Sequence, residues 1–183
     1  YRDSYKSIIE LSNPEIKLAG LRLNPNSNSR SRTNYYNNVM ISKMDQIDKS
    51  AKQIKGLPKN PKLANIKWSP DQTKIAMTNT KEEGVELWFI DLEKLTAKKL
   101  TGPKLNASLG DVITWYQDSK NILTKFKLKN SPDIIDGKDL VPTGPIISSN
   151  DGKKAQNRTY QDLLKNEVDE KNFETLASSV LYK

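Results

Sequence analysis

The chain has 183 residues and a formal net charge of +8 at pH 7, and it contains neither cysteine nor histidine. The absence of cysteine excludes disulfides, thiolate metal sites and cysteine nucleophiles. The absence of histidine excludes a Ser-His-Asp triad built from this chain alone. The apolar runs are far shorter than the roughly 20 residues that span a bilayer. The sequence therefore predicts no membrane span, no metal and no cofactor.

The positive charge alone does not indicate a nucleic-acid partner. Only five of the thirty basic residues are arginines, namely Arg2, Arg22, Arg30, Arg32 and Arg158. The lysines are scattered rather than grouped with aromatic residues into a stacking surface, and arginine is the residue that usually supplies bidentate recognition of phosphates and bases. We therefore interpret the charge as a solvated, lysine-rich surface and predict no nucleic-acid binding.

The first fifty residues predict a short helix within residues 1–19 and then two strands. Residues 18–23 alternate between apolar and other side chains and are followed by a cluster of turn-forming residues at 24–29. Residues 35–44 are rich in aromatic and long apolar side chains, which favours a return strand. We interpret residues 19–50 as the outer half of a sheet unit.

A repeated phrase gives the strongest signal in the chain. Trp68 and Trp115, 47 positions apart, each close an apolar strand, and each is followed by a polar turn with an aspartate, Asp71 or Asp118, and by a second apolar strand. A period in the forties with this pattern is typical of the blades of a β-propeller.

The first copy of the phrase lies in a predicted complete blade, residues 62–103. Turn signals separate four short apolar or alternating runs, and the unit ends at Gly102-Pro103. The four predicted strands are residues 66–68, 74–80, 85–91 and 98–101. Ile75 and Met77 are expected on one face of the second strand because side chains alternate across a sheet.

The second copy begins a further blade, residues 106–183, which is interrupted by an insertion at about residues 128–173. The insertion is rich in proline, glycine and polar residues, and a helix of one or two turns is expected around residues 160–164. The three predicted strands of this blade are residues 112–115, 121–127 and 178–182. The fold class that follows is all-β: a partial β-propeller of four-stranded antiparallel blades, with one long insertion that contains a short helix. Since propellers typically have 4 to 8 blades, we interpret the chain as a fragment.

The repeated residues have a structural interpretation and a functional one. Trp68 and Trp115 are large enough to fill the space between neighbouring blades, which we favour over a role in stacking on a substrate. Asp71 and Asp118 are expected to bond to the backbone of their own turns, which is far commoner for lone turn aspartates than metal binding.

Four runs resemble a known family. They are EIKLAGLRLNP at 15–25, GVELW at 84–88, LTGPKLNA at 100–107 and GKKAQNRTYQDLL at 152–164. In order and over most of the chain, they resemble the propeller of prolyl oligopeptidase family serine peptidases, in the glutamyl-endopeptidase-like branch.

The resemblance implies a two-domain serine peptidase in which a propeller restricts access of peptide substrates to an α/β-hydrolase domain. The nucleophile of such enzymes lies in a Gly-x-Ser-x-Gly elbow, followed by Asp and His. This chain has no such motif. No catalytic residue is therefore assigned here, and the expected partner is a hydrolase domain C-terminal to Lys183.

The long insertion is the most plausible functional segment, because long irregular loops are often binding or lid elements. Arg158 is a candidate to receive an acidic substrate side chain through a charge-assisted fork, and Arg22 is a second candidate. The alternative is that both arginines pair with local carboxylates or backbone carbonyls.

Two other function classes remain open from the residues. One is a non-enzymatic β-propeller that acts as a protein-binding scaffold, and the other is a surface or adhesive repeat protein. The location is also left open, with a periplasmic or secreted bacterial protein slightly favoured over a cytoplasmic one.

Overall fold

A computed structural model describes residues 8–43, 51–136, 144, 152 and 162–183. Two helices lie within these residues, α1 (Ile8–Leu11) and α2 (Glu167–Ala177). The strands, in chain order, are β1 (Ile16–Leu18), β2 (Leu21–Asn24), β3 (Ser29–Arg30), β4 (Met40–Ile41), β5 (Lys52–Gln53), β6 (Leu63–Trp68), β7 (Lys74–Lys81), β8 (Gly84–Asp91), β9 (Thr96–Lys99), β10 (Ile113–Trp115), β11 (Ile122–Phe126) and β12 (Val180–Tyr182). Neither helix is long and apolar enough to cross a membrane.

The centre of the fold is a four-stranded antiparallel meander with the strand order β6-β7-β8-β9. Its longest pairing, β7 with β8, runs without interruption from Lys74 opposite Asp91 to Lys81 opposite Gly84. Three smaller antiparallel sheets, β1-β2-β3, β4-β5 and β10-β11-β12, accompany the meander. The predicted fold class is confirmed: the chain is mostly β, and a helix lies in the sequence between β11 and β12.

The meander is apolar on both faces. Apolar residues occupy successive positions of its strands, and successive side chains point to opposite faces of a sheet. Ala76, Val85 and Leu87 lie on one face, in a buried cluster with residues that lead into β10. Ile75 and Met77 lie on the opposite face, as expected, in a second buried cluster. Each face is therefore covered by a different part of the chain, which is the arrangement of a sheet packed between two neighbouring layers.

The fourth strand begins earlier than expected. Residues 98–101 were the predicted strand, whereas β9 is Thr96–Lys99. The carboxylate of Asp91 accepts hydrogen bonds from the backbone N–H groups of Glu93 and Lys94, and Leu95 has a φ of 53°. This tight reversal brings the chain back into the sheet sooner than the spacing of the apolar residues indicates.

The prediction of one strand at residues 18–23 is wrong. The run is a hairpin in which β1 pairs with β2, so that Leu18 lies opposite Leu21. Ala19 and Gly20 form the reversal, with φ values of 48° and 76°. Two successive residues with positive φ are typical of the two-residue turn that best matches the twist of paired strands.

The predicted return strand at residues 35–44 is also wrong. The strand that pairs with β2 is β3, Ser29–Arg30, at the end of the cluster interpreted as a turn. Within residues 35–43, Tyr36 instead bridges to Leu63, and β4 pairs with β5. The assignment of residues 19–50 to the outer half of a blade stays a prediction.

The helix of the insertion lies later than expected. Asp162, Leu163 and Leu164 are not helical, and the remainder of the predicted helix, residues 160 and 161, lies outside the described residues. Helix α2 begins after Asn166, whose side chain accepts the N–H of Asp169 as an N-cap, and ends at Ala177, past the expected end of the insertion.

Helix α2 packs on the sheet β1-β2-β3, which we call the N-terminal hairpin. Leu176 is fully buried with Leu18 and Leu23, and Phe173 packs against them. At the end of the helix, the side chains of Asn28 and Asn106 both donate to the carbonyl of Leu176, at 3.2 and 3.0 Å. The helix thus connects residues near the C-terminus with the N-terminal hairpin.

Candidate functional site: an arginine-lined cavity

The two repeated turns have the same hydrogen-bond pattern. In the first, Ser69 N–H donates to Lys74 and Gln72 N–H donates to Ser69. In the second, Tyr116 N–H donates to Asn121 and Ser119 N–H donates to Tyr116. The equivalent residues Gln72 and Ser119 have positive φ values of 58° and 52°.

Asp71 and Asp118 each bond to groups of their own turn. Asp71 accepts from the Ser69 hydroxyl at 2.6 Å and from Thr73 N–H at 3.0 Å, and the Ser69 bond is the main reason that the pKa of Asp71 lies below its usual range. Asp118 accepts from the N–H groups of Lys120 and Asn121 at 3.0 Å. These bonds, the Lys120 bond first, lower its pKa to about 2. Both carboxylates stay ionised at neutral pH.

The repeated units also contact each other. The N–H of Asp71 donates to the Ser119 hydroxyl at 3.0 Å, and the indole N–H of Trp115 donates to the carbonyl of Lys67 at 3.0 Å. Trp115 packs against the buried cluster between the two sheets. Trp68 differs, since it is 52% exposed and its indole N–H has no partner within the described residues.

A cavity of about 810 Å³ lies between the N-terminal hairpin, the start of β6 and the loop before β10. Arg22, Arg30 and Arg32 all line it. A second cavity of about 480 Å³ adjoins the first, because Ser29, Arg30 and Thr80 line both. Guanidinium groups at a concave surface are the usual recognition elements for carboxylates and phosphates, so this is the candidate binding site of the described residues.

Glu15 holds two of the three arginines. Its Oε1 accepts from Arg22 Nη1 at 3.0 Å, and its Oε2 accepts from Arg32 Nε at 3.2 Å and from the Ser31 hydroxyl at 2.5 Å. The Ser31 bond and then the two guanidinium groups lower the pKa of Glu15 to about 2, against the opposing effect of partial burial. Glu15 is therefore a fixed anion at neutral pH.

The two sequence candidates for an acidic substrate have different positions. Arg22 lines the cavity, pairs with Glu15, and has Nη2 4.0 Å from Asp162 Oδ2. Arg158 lies outside the described residues. A role for either residue in substrate binding stays a prediction.

Sequence reasoning did not single out Glu15, Arg30 or Arg32 as site residues. The available signal was the clustering of arginine, since three of the five arginines of the chain lie between residues 22 and 32. The pairing of Arg22 and Arg32 with Glu15 depends on the hairpin reversal, which the strand prediction had missed.

A second carboxylate is buried within the meander. Glu86 on β8 is 6% exposed and accepts from Asn79 Nδ2 at 3.0 Å, Trp88 Nε1 at 2.8 Å and Lys99 Nζ at 3.3 Å. Burial raises its pKa, but these three donors outweigh burial and hold the pKa below the usual value. Its three donors lie on β7, β8 and β9, and no cavity opens on it among those lined by described residues.

Over the described ranges, no group of three Asp or Glu side chains is placed to hold a metal ion. Arginine, asparagine and threonine side chains line the cavity and can donate hydrogen bonds to an anion.

The amino-acid sequence aligns with two curated proteins over nearly its whole length. The chain is 32% identical over 193 aligned positions to a probable chloroplastic glutamyl endopeptidase of Oryza sativa subsp. japonica, and 32% identical over 191 positions to a protein of the same name from Arabidopsis thaliana. Each alignment covers 98% of this chain and 20% of the relative. The chain belongs to the prolyl oligopeptidase family, in its glutamyl-endopeptidase-like branch. It spans about a fifth of the length of these family members.

Two solved structures also overlap with part of this family member. The first is the acylaminoacyl peptidase of Pyrococcus horikoshii, which is 22% identical over a match that covers 54% of this chain and 14% of that chain, with a TM-score of 0.34. The second is an acylaminoacyl peptidase in complex with Z-Gly-Gly-Phe-chloromethyl ketone, which is 22% identical over a match that covers 63% of this chain and 16% of that chain, with a TM-score of 0.37. No protein-family model matches the chain.

Proposed function

We propose that this chain is the propeller part of a serine peptidase that hydrolyses peptides, and that it controls which substrates reach an α/β-hydrolase domain of the same protein. In this proposal residues 62–103 form one blade, residues 106–183 form the next around the insertion, and residues 19–50 form the outer half of a preceding blade. The chain has no histidine and no Gly-x-Ser-x-Gly motif, so the hydrolase domain supplies the nucleophile and its base.

The observation that carries the proposal is the alignment with the two probable glutamyl endopeptidases over 98% of the chain. The four-stranded meander supports it, since a propeller blade has this strand order. The contacts between the repeated units, from Trp115 to Lys67 and from Asp71 to Ser119, support a side-by-side arrangement of blades.

The proposal extends to peptides cleaved after acidic residues. The name of the two relatives points to glutamyl peptides, and the arginine-lined cavity offers a cationic surface to which an acidic side chain is attracted. Arg22 and Arg158 are the candidates that the sequence gives for binding that side chain.

The test of the serine peptidase is labelling of the full-length protein with a fluorophosphonate probe, together with cleavage of peptides that differ only by Glu or Gln before the scissile bond. We expect labelling and preferential cleavage after Glu. A protein that takes up no probe and cleaves neither peptide contradicts the proposal and favours a non-enzymatic propeller that binds proteins.

The contribution of Arg158 is tested in the same assay by Arg158→Gln. We expect the ratio of kcat/KM for the Glu peptide to that for the Gln peptide to fall about tenfold, because a charge-assisted hydrogen bond is lost. An unchanged ratio removes Arg158 from the specificity site and leaves the arginines of the cavity.

A further inference from the structure

The geometry points to Arg30, rather than Arg22, as the residue of the arginine-lined cavity that binds a carboxylate of an acidic peptide, and to Glu15 as the residue that occupies the other two arginines. This inference rests on the proposed function, because it assigns the acidic substrate of that function to one side chain. It goes further in naming a residue that the sequence motifs do not single out.

Arg22 and Arg32 already have a carboxylate ligand. Glu15 Oε1 accepts from Arg22 Nη1 at 3.0 Å and from Arg32 Nη2 at 3.4 Å, and Oε2 accepts from Arg32 Nε at 3.2 Å, so the carboxylate is shared between the two guanidinium groups. Glu15 thus offsets part of the positive charge of these two arginines and occupies one N–H donor of Arg22 and two of Arg32, which leaves both with fewer donors for an incoming carboxylate than an unpaired arginine has. Glu15 remains ionised at all pH values near neutrality, so protonation does not release the pair.

Arg30 differs from both neighbours. It lies on β3, is exposed, and forms no side-chain hydrogen bond or ion pair with any described residue. Its backbone position is fixed, since β3 pairs with β2 with Leu23 opposite Arg30. The backbone of Arg30 is therefore held in place, while none of its guanidinium N–H donors is bonded to a described residue.

The place of Arg30 suits an extended ligand. It lines the cavity of about 810 Å³ and also the adjoining cavity of about 480 Å³, so a peptide that runs through both passes this side chain. The nearby acid of the larger cavity, Asp111, is paired with Lys67 at 3.3 Å. The negative charge of Glu15 neutralises one of the positive charges of Arg22 and Arg32. The lining of the larger cavity therefore retains net positive charge, which attracts an anionic peptide segment.

The experiment uses the full-length protein and two acetylated, amidated peptides, Ala-Ala-Glu-Ala-Ala and Ala-Ala-Gln-Ala-Ala. Arg30→Gln is compared with Lys98→Gln, which removes the same charge from an exposed residue of β9 that lies in neither cavity. Arg22→Gln is the third variant. We expect the Glu-to-Gln ratio of kcat/KM to fall about tenfold or more in Arg30→Gln, to stay within twofold in Lys98→Gln, and to fall less in Arg22→Gln than in Arg30→Gln.

A binding measurement separates this inference from the proposed function. Dissociation constants of both peptides are measured by calorimetry on the same variants, after phosphonylation with the fluorophosphonate probe or, if no label is taken up, on the unlabelled protein. Weaker binding of the Glu peptide alone in Arg30→Gln supports the assignment even where no cleavage occurs. An Arg30→Gln variant that binds and cleaves the Glu peptide like Lys98→Gln overturns it, and so does an Arg22→Gln variant with the larger loss.

Discussion

The meander β6–β9 and the N-terminal hairpin β1–β3 are both antiparallel sheets, but they are stabilised in different ways. The meander pairs strands that follow one another in the chain, and its buried carboxylate, Glu86, is bonded by residues of the same sheet. The hairpin depends on distant residues, since Leu176 completes its core and Asn28 bonds to the carbonyl of Leu176, 148 positions away. Two arginines of the cavity, Arg22 and Arg30, lie on the hairpin, and the third, Arg32, follows it directly. The region with the most local contacts is therefore the scaffold, and the region that depends on long-range contacts holds the candidate site.

The strongest way to break the scaffold is Met77→Ala. Met77 is fully buried on the face that includes Ile75 and Ile90, and deletion of its side chain leaves a cavity. We expect the free energy of opening of β6–β9 to fall by about 3 kcal/mol, measured by hydrogen exchange in the full-length protein. Leu100→Ala, at a residue that is 47% exposed, is the control and should change it by less than about 0.5 kcal/mol. Equal losses of this free energy in the two variants would mean that the face with Ile75 and Met77 is not a buried core.

The hydrogen bonds that hold the end of α2, on which the core of the hairpin depends, are tested by Asn106→Ala in the segment before β10. The Asn106 amide is buried and donates to the carbonyls of Leu176 and Ser178 at 3.0 and 2.8 Å. Because the variant leaves both carbonyls with a lost donor, we expect a loss of about 2 kcal/mol. Faster hydrogen exchange should appear in α2 and in β1–β3, with β6–β9 unchanged. Asn13→Ala, at an exposed residue, is the matched control. Hydrogen exchange that rises equally in β6–β9 would contradict the claim that the hairpin, unlike the meander, depends on long-range contacts.

The ion cluster of the hairpin has a defined pH dependence. The pKa of Glu15 is about 2 in the folded protein and 4.5 without its partners, so its stabilising effect is present above pH 4.5 and is lost as the pH falls toward 2. We expect Glu15→Gln to destabilise β1–β3 at pH 7 by about 1 kcal/mol, since solvent screens a partly exposed pair. The difference from wild type should narrow between pH 4.5 and 3 in hydrogen-exchange measurements. A Glu93→Gln control, at an exposed position, should show no such trend, and a difference that grows on acidification would contradict the cluster.

The smallest effect separates the two repeated tryptophans. Trp115→Phe removes the indole donor to Lys67, whereas Trp68→Phe removes a donor that has no partner within the described residues. We expect Trp115→Phe to cost about 1 kcal/mol and Trp68→Phe to cost less. Thermal unfolding of both full-length variants gives the comparison. A larger loss for Trp68→Phe would show that its indole is bonded in the complete protein.

The meander and its two faces could be predicted from the sequence because their signals are local. Ile75 and Met77 alternate with Ala76, and Ser69-Pro70-Asp71 closes a turn by bonds within a few residues. The hairpin was misread because Leu18 to Leu23 has the alternation of one strand, while its reversal depends on positive φ at Ala19 as well as Gly20. The cavity could not be assembled from the sequence, since Glu15 meets Arg32 only after that reversal.

The proposed gating function is tested most directly by comparing the cleavage of an unfolded and a folded substrate. The full-length protein is given a short unfolded peptide and the same Glu-containing segment placed in a surface loop of a stably folded protein. If this chain restricts access to the hydrolase domain, the peptide is cleaved and the folded protein is not, until the folded protein is denatured. Cleavage of both at similar rates would contradict the gating function.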